Sequence, residues 1–265
     1  MLKKNDLLNI RKNILNSINH ADSGHLGPSY SCVEMIYVIL KKYVNLKKKF
    51  RNKFILSKGH AAPAFYAVLD HLKLLKKNEL NTLRKFNSRL QGHPDKKKLA
   101  YVDSGTGALG QGLSVSIGYA LSAKLKNREN YVFCILGDGE LQEGQTWEAA
   151  MYIGVKKLKN VITLIDANKF QNEYSVKDTL EEINIKKKWQ AFGFNFFKIN
   201  GHSLKDIDNT IKKCMNKKIN KPCVIYCDTI KGKGVSIFEN NNKYHSIKKL
   251  STEEYETAIR ELSIK

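Results

Sequence analysis

Two strand-length apolar runs each end in a short polar cluster, and the interval between those clusters limits the fold more than any other feature. Val132 to Leu136 runs into Gly137-Asp138-Gly139, and Val161 to Asp166 delivers Asn168, with 28 residues, Glu140 through Ala167, between the two clusters. That interval accommodates one helix and one return strand. A right-handed crossover then brings the second strand back beside the first, pointing the same way. The expected fold class is α/β, a parallel sheet flanked by helices.

The rest of the chain repeats the alternation. Leu113, Ile117, Ala120, Leu121 and Lys124 recur at three- and four-residue spacing, which predicts a helix from about Leu109 to Lys126. A second helix is expected through Trp147, Ala150, Met151 and Val155. Further strands are expected near Phe196 to Ile199 and Pro222 to Asp228, around a helix carrying Ile207, Ile211 and Met215. Ser251 and Glu254 have the spacing of a capping box for a terminal helix. No internal repeat or linker interrupts the pattern, so residues 1–265 are expected to form a single domain.

Composition excludes several alternatives. The apolar runs are strand-length and Lys3, Lys4, Asp6 and Arg11 punctuate the N-terminus, so neither a membrane span nor a signal peptide is expected and the protein is read as cytoplasmic. The five cysteines form no CxxC pair and read as reduced core residues. The chain carries 46 Lys+Arg against 25 Asp+Glu. Such an excess can attract nucleic acid, but here it is spread through Lys47-Lys48-Lys49, Lys96-Lys97-Lys98 and Lys186-Lys187-Lys188 without interleaved aromatics. It reads as a solvated surface, and no nucleic-acid partner is expected.

In an open parallel sheet, ligands sit beyond the carboxyl ends of the strands, where Asp138 and Asn168 both fall. A carboxylate and an amide oxygen are hard donors suited to Mg²⁺, which shares its oxygen shell with substrate phosphates. Gly137 and Gly139 allow close backbone approach, and the following helix start offers N–H groups to a diphosphate. Gly-Asp-Gly after a strand is on its own a common turn, and the spacing to Asn168 is what gives it weight.

Gly-Asp-Gly, that interval and then Asn resemble the thiamine diphosphate signature, and Gly137-Asp-Gly-Glu-Leu-Gln-Glu-Gly-Gln-Thr-Trp-Glu-Ala-Ala is similar to transketolases. The resemblance extends over nearly the whole chain. Ala21-Asp-Ser-Gly-His25-Leu-Gly, Ser57-Lys-Gly-His60-Ala-Ala and Gln91-Gly-His93-Pro94 resemble three histidine segments of that family. Asp103-Ser-Gly-Thr-Gly107-Ala-Leu109-Gly-Gln-Gly112 resembles its cofactor loop, and Lys231-Gly-Lys-Gly-Val with Glu239-Asn and His245 resembles its last active-site segment.

The resemblance implies a thiamine diphosphate-binding fold of the diphosphate-binding type, with thiamine diphosphate and Mg²⁺, or Ca²⁺ or Mn²⁺ in its place. It implies that Asp138, Asn168 and the backbone carbonyl of Phe170 bind the metal. By the same likeness His60, Gly107, Leu109, Gly139 and His245 hold the cofactor, and His25, His60, His93 and His245 face the substrate. Glu143 resembles the family's buried glutamate near the subunit contact. His20, His71 and His202 are read as hydrogen-bonded structural residues. After Asn168 the family usually has Gln-x-Asp-Gly, where this chain has Gln171-Asn-Glu173-Tyr-Ser175. Ser246 stands where glycine is common, and Leu26 and Ala108 also depart from the family pattern.

The sequence stops at Lys265, just after the region resembling the family's first domain. A C-terminal transketolase subunit carrying the pyrimidine-binding domain is therefore expected as partner, in an α2β2 assembly acting on sugar phosphates by transfer of a two-carbon ketol unit. The alternative is a subunit of another thiamine enzyme, such as one like deoxyxylulose-phosphate synthase.

Overall fold

The computed structural model describes residues 2–172, 174–180, 183–247 and 249–264; Glu173, in the divergent loop, and Lys265 lie outside them. Its strands are β1 (Lys53–Leu56), β2 (Val132–Gly137), β3 (Val161–Ala167), β4 (Asn195–Asn200) and β5 (Cys223–Asp228). They form one sheet in the order β1-β2-β3-β5-β4, and every neighbouring pair is parallel. The helices are α1 (Lys4–Ala21), α2 (Leu26–Ser31), α3 (Val33–Val38), α4 (Ala62–His71), α5 (Gln111–Leu125), α6 (Gly144–Val155), α7 (Val176–Leu180), α8 (Ile185–Ala191), α9 (Leu204–Cys214) and α10 (Thr252–Ile264).

Side chains alternate along a strand, so a strand buried on both faces is apolar at every position. β2 is buried throughout. Its Phe133 and Ile135 pack with α1, α2, α3, α4 and α9 on one face. Val132, Cys134 and Leu136 pack with α5, α6 and Trp189 of α8 on the other. Each face holds its own core.

The expected helix at Leu109 begins later, at Gln111, because Gly110 occupies the left-handed region at φ +81° and ends the preceding loop. The terminal helix carries the anticipated capping box. The Glu254 amide donates to Ser251 Oγ at 3.1 Å, and the Ser251 amide donates to a Glu254 carboxylate oxygen at 2.8 Å. The three lysine runs are exposed, and the five cysteines are free and buried. Among the described residues no helix is long and apolar enough to cross a membrane.

Candidate active site

The carboxyl ends of β1, β2, β3 and β5 converge on one place. Gly137 on β2 pairs with Asp166 on β3, so Asp138 and Asn168 emerge side by side. Both are buried, at 7% and 3% exposure, whereas most carboxylates and amides at strand ends face solvent. One Asp138 oxygen accepts from the Gly139 amide at 2.9 Å and the other from the Lys169 amide. The Asn168 amide oxygen accepts from the Phe170 amide at 3.1 Å, which tucks Phe170 under the same strand end. The loop carrying it closes through a bridge between Phe170 and Ser175.

Burial and the nearby Asp166 push the Asp138 carboxyl up to about 7. A divalent cation would reverse that penalty by supplying the missing positive charge. The two side-chain oxygens and the Phe170 carbonyl are all hard donors, so the residues present fit Mg²⁺ completed by phosphate oxygens. Among the described residues, no group of three or more His, Cys, Asp or Glu side chains is placed to hold a metal.

Beneath this pair lies a feature that the sequence does not announce. Asp166 is fully buried and paired with Lys58, itself 1% exposed, and it also accepts from Ser31, Asn168 and Thr229. Lys231, likewise buried, donates to Asn242 at 2.6 Å and lies 3.0 Å from Nδ1 of His245, with its ammonium over the Phe170 ring. Burial and Lys58 bring Lys231 down to about 7. A buried, partly discharged ammonium of this kind is suited to an anionic group. By composition both lysines belong with the surface charge, and only their positions beside the histidine segments distinguish them.

The four histidines singled out by resemblance lie together. His25 is 5.4 Å from His60, 6.2 Å from His93 and 5.6 Å from His245, ring centre to ring centre, and His60 stacks on His245 at 5.6 Å. Burial and neighbouring cations hold His25 down to about 4 and His245 to about 3, and they lower His60 and His93 as well. All four are neutral at pH 7, so each ring can donate through one nitrogen and accept through the other. By contrast His20 bonds the Asn16 carbonyl, His71 contacts Asp6, and His202 accepts from the Ile230 amide, all outside this cluster.

Loop packing explains the convergence. A Cβ on Gly59 would sit 2.7 Å from Thr106 Oγ1 and 2.9 Å from the Gly107 amide, so glycine there lets the 105–107 loop lie against the His60 turn. Gly107 in turn rests on the His93 ring, and Leu109 is partly buried just before α5. The resemblance places Glu143 near a subunit contact, which a single chain does not include. Glu143 is exposed in the single chain, and the buried glutamate is Glu140, at 2%. Glu140 accepts from the Ser57 hydroxyl and the Gly110 and Gly137 amides, so it ties β1, α5 and β2 together below the site. Three donors gathered around Glu140 hold it inside this chain, whereas Glu143 faces outward from it. A cavity of about 840 Å³ opens beside Asp138, Phe170, Thr229 and Ile230.

Residues 3–263 match the family described as transketolase, thiamine diphosphate binding domain. An apulose-4-phosphate transketolase subunit from Phocaeicola vulgatus is 33% identical over 258 residues, covering 96% of this chain and 91% of that protein. The 6-deoxy-6-sulfo-D-fructose transketolase subunit SqwG from a Clostridium species is 34% identical over 262 residues, covering 96% and 93%. Among solved structures, transketolase from Campylobacter jejuni superposes with a TM-score of 0.88 at 29% identity, over 99% of this chain but 43% of that one. The chain therefore spans less than half of that transketolase and nearly all of the two subunits. With the fold, the strand-end pair and these matches in agreement, the chain belongs to the transketolase family, over its thiamine diphosphate binding domain.

Proposed function

We propose that residues 1–265 form the diphosphate- and magnesium-binding half of a transketolase that moves a two-carbon ketol unit from a ketose phosphate to an aldose phosphate, together with a partner chain. The observation that carries this reading is the buried Asp138 beside Asn168 at adjacent parallel strand ends, joined to the cluster of His25, His60, His93 and His245 through Lys231, which lies over the Phe170 ring and 3.0 Å from His245 Nδ1.

In this reading Asp138, Asn168 and the Phe170 carbonyl hold the cation, Gly139 and Lys231 approach the diphosphate, and the 105–109 loop flanks the cofactor. Thiamine diphosphate, when bound, supplies the carbanion that accepts and releases the ketol unit. The chain's own task is to orient sugars and move their protons. Neutral imidazoles suit it, since each can donate to a hydroxyl or accept from one without carrying charge into a buried site.

A partner is supported by the two relatives named as subunits and by the surface of α5 and α6. Leu125, Met151, Tyr152 and Val155 are exposed on these adjoining helices, at 84%, 53%, 40% and 73%. Two helices that are buried on one face and apolar on the other are suited to a covering chain. The pyrimidine-binding domain would be supplied there, in an α2β2 assembly.

The decisive assay measures ketol transfer from xylulose 5-phosphate to ribose 5-phosphate with Mg²⁺ and thiamine diphosphate, using this chain alone and then mixed with a candidate second chain. Activity only in the mixture, abolished by Asp138→Ala, supports the reading. Activity from this chain alone removes the partner from it, and activity in neither sample, with bound cofactor demonstrated, removes these sugars.

A further inference from the structure

Arg84 stands beside the histidine cluster in an unusual setting. Its backbone is in the left-handed region at φ +59°, and its amide donates to the Leu90 carbonyl at 2.8 Å to close the turn. A non-glycine residue keeps that conformation only where its surroundings impose it. The guanidinium reaches back across the site. Nη1 donates to Ser23 Oγ at 2.6 Å, Nη2 lies 3.3 Å from Nδ1 of His25, and Nε is buried without a partner. Its face rests on Gly92, where a Cβ would come within 3.0 Å of Nε. Among the described residues no carboxylate pairs with it, so it is not held there by an ion pair.

One side chain thus touches the segments bearing His25 and His93. Its chemistry also has a direction. A guanidinium is always protonated and offers only donors. The His25 Nδ1 atom that faces it must therefore accept, which leaves the proton of a neutral imidazole on Nε2, the ring nitrogen away from Arg84. Lys231 faces His245 Nδ1 at 3.0 Å in the same manner, but a buried ammonium can lose its proton and then accept instead. Only Arg84 sets the direction unconditionally.

We propose that Arg84 is a positioning residue that locks His25 as the Nε2–H tautomer, so that His25 meets the sugar as a hydrogen-bond donor. The role in sugar binding rests on the ketol-transfer reading above; the tautomer does not. Burial and the Arg84 charge, which hold His25 neutral, act in the same sense.

The full chain, labelled with ¹⁵N-histidine, reports the tautomer directly through long-range proton–nitrogen correlations of the imidazoles at neutral pH. The His25 signals are identified by their absence in His25→Asn. Wild-type protein is expected to show His25 with a protonated Nε2 and a bare Nδ1. Arg84→Met is expected to collapse that pattern towards a tautomer average, and Arg84→Lys, which keeps one donor, to restore most of it. A wild-type Nδ1–H pattern overturns the proposal even if no variant folds, and so does an unchanged pattern in folded Arg84→Met.

The assembled enzyme gives the second arm. Arg84→Met should lower kcat by roughly 10- to 100-fold, with a smaller change in KM, as expected for a lost charge-assisted hydrogen bond. In a His25→Ala background the same substitution should change kcat less than about twofold, because its effect passes through the missing ring. Independent, multiplicative losses overturn the positioning role. Complete absence of ketol transfer in the wild type overturns the functional reading instead and leaves the tautomer result standing.

Discussion

Lys58 and Asp166 form an ion pair in the interior, with their side chains 1% and 0% exposed. Asp166 is held below the usual carboxylate range by Lys58 and by hydrogen bonds, against the opposing effect of burial, and Lys58 is raised by Asp166. Removing one partner strands the other. Lys58→Met is expected to destabilise the chain by about 3–5 kcal/mol in urea unfolding. Lys58→Met with Asp166→Asn should recover a large part of that loss, since the buried charge is then gone. Equal midpoints for wild type and Lys58→Met would refute the assigned structural weight.

Acid should loosen the chain through its histidines. His25 has a folded value of about 4 against 6.5 for the free side chain. Between those values the unfolded chain takes up a proton that the folded one refuses, so stability is lost as pH falls from 6.5 towards 4 and is fully present above 6.5. His25 is partly exposed, which reduces the effect to about 1–2 kcal/mol. Urea unfolding at pH 7.5, 5.5 and 4.5 should show this slope, and His25→Asn should flatten it. A slope that His25→Asn leaves unchanged counts against the assignment.

Cofactor binding should require Asp138 and a divalent cation together. Titration calorimetry of thiamine diphosphate into the full chain with Mg²⁺ is expected to show binding that chelator abolishes and that Ca²⁺ or Mn²⁺ restores. Asp138→Asn should weaken it by at least about 10- to 100-fold, the scale on which even supporting residues of a metal site act. Because the wild-type carboxylate is buried at a cost, this variant should remain as stable as wild type without cation. Equal affinity in the variant would move the cation elsewhere.

The apolar face of α5 and α6 gives a prediction about assembly. Met151→Lys and Val155→Glu should leave the circular dichroism of the isolated chain unchanged, because both side chains point to solvent. The same substitutions should abolish co-elution with the partner chain in size-exclusion chromatography with light scattering. Retained co-elution would place the partner on another surface.

The central sheet is readable from sequence because β2, β3 and β5 are continuous apolar runs, and both faces of the sheet exclude water. β1 is not, because Lys53–Leu56 is four residues long and begins with a lysine. Pairing with β2, not its own pattern, makes it a strand. Asp138 and Asn168 follow from spacing, whereas the grouping of the four histidines comes from resemblance alone. Lys58, Asp166 and Lys231 are hidden for a different reason. A lysine's type predicts exposure, and burial of these two depends on partners that only the folded chain brings together. Arg84 is likewise invisible, since its meaning lies in which atom of His25 it touches.

The backbones of Gly24 and Ile247 form a two-bond antiparallel bridge, at 3.1 and 2.9 Å, and His25 and His245 stand next to it. The first and last histidine segments are therefore fastened directly to each other. During synthesis this clasp cannot close until Ile247 has left the ribosome, however early the sheet has formed. Closure of the histidine cluster is therefore a late event of folding, and a chain cut short before Ile247 would keep most of its core while leaving that cluster unfastened.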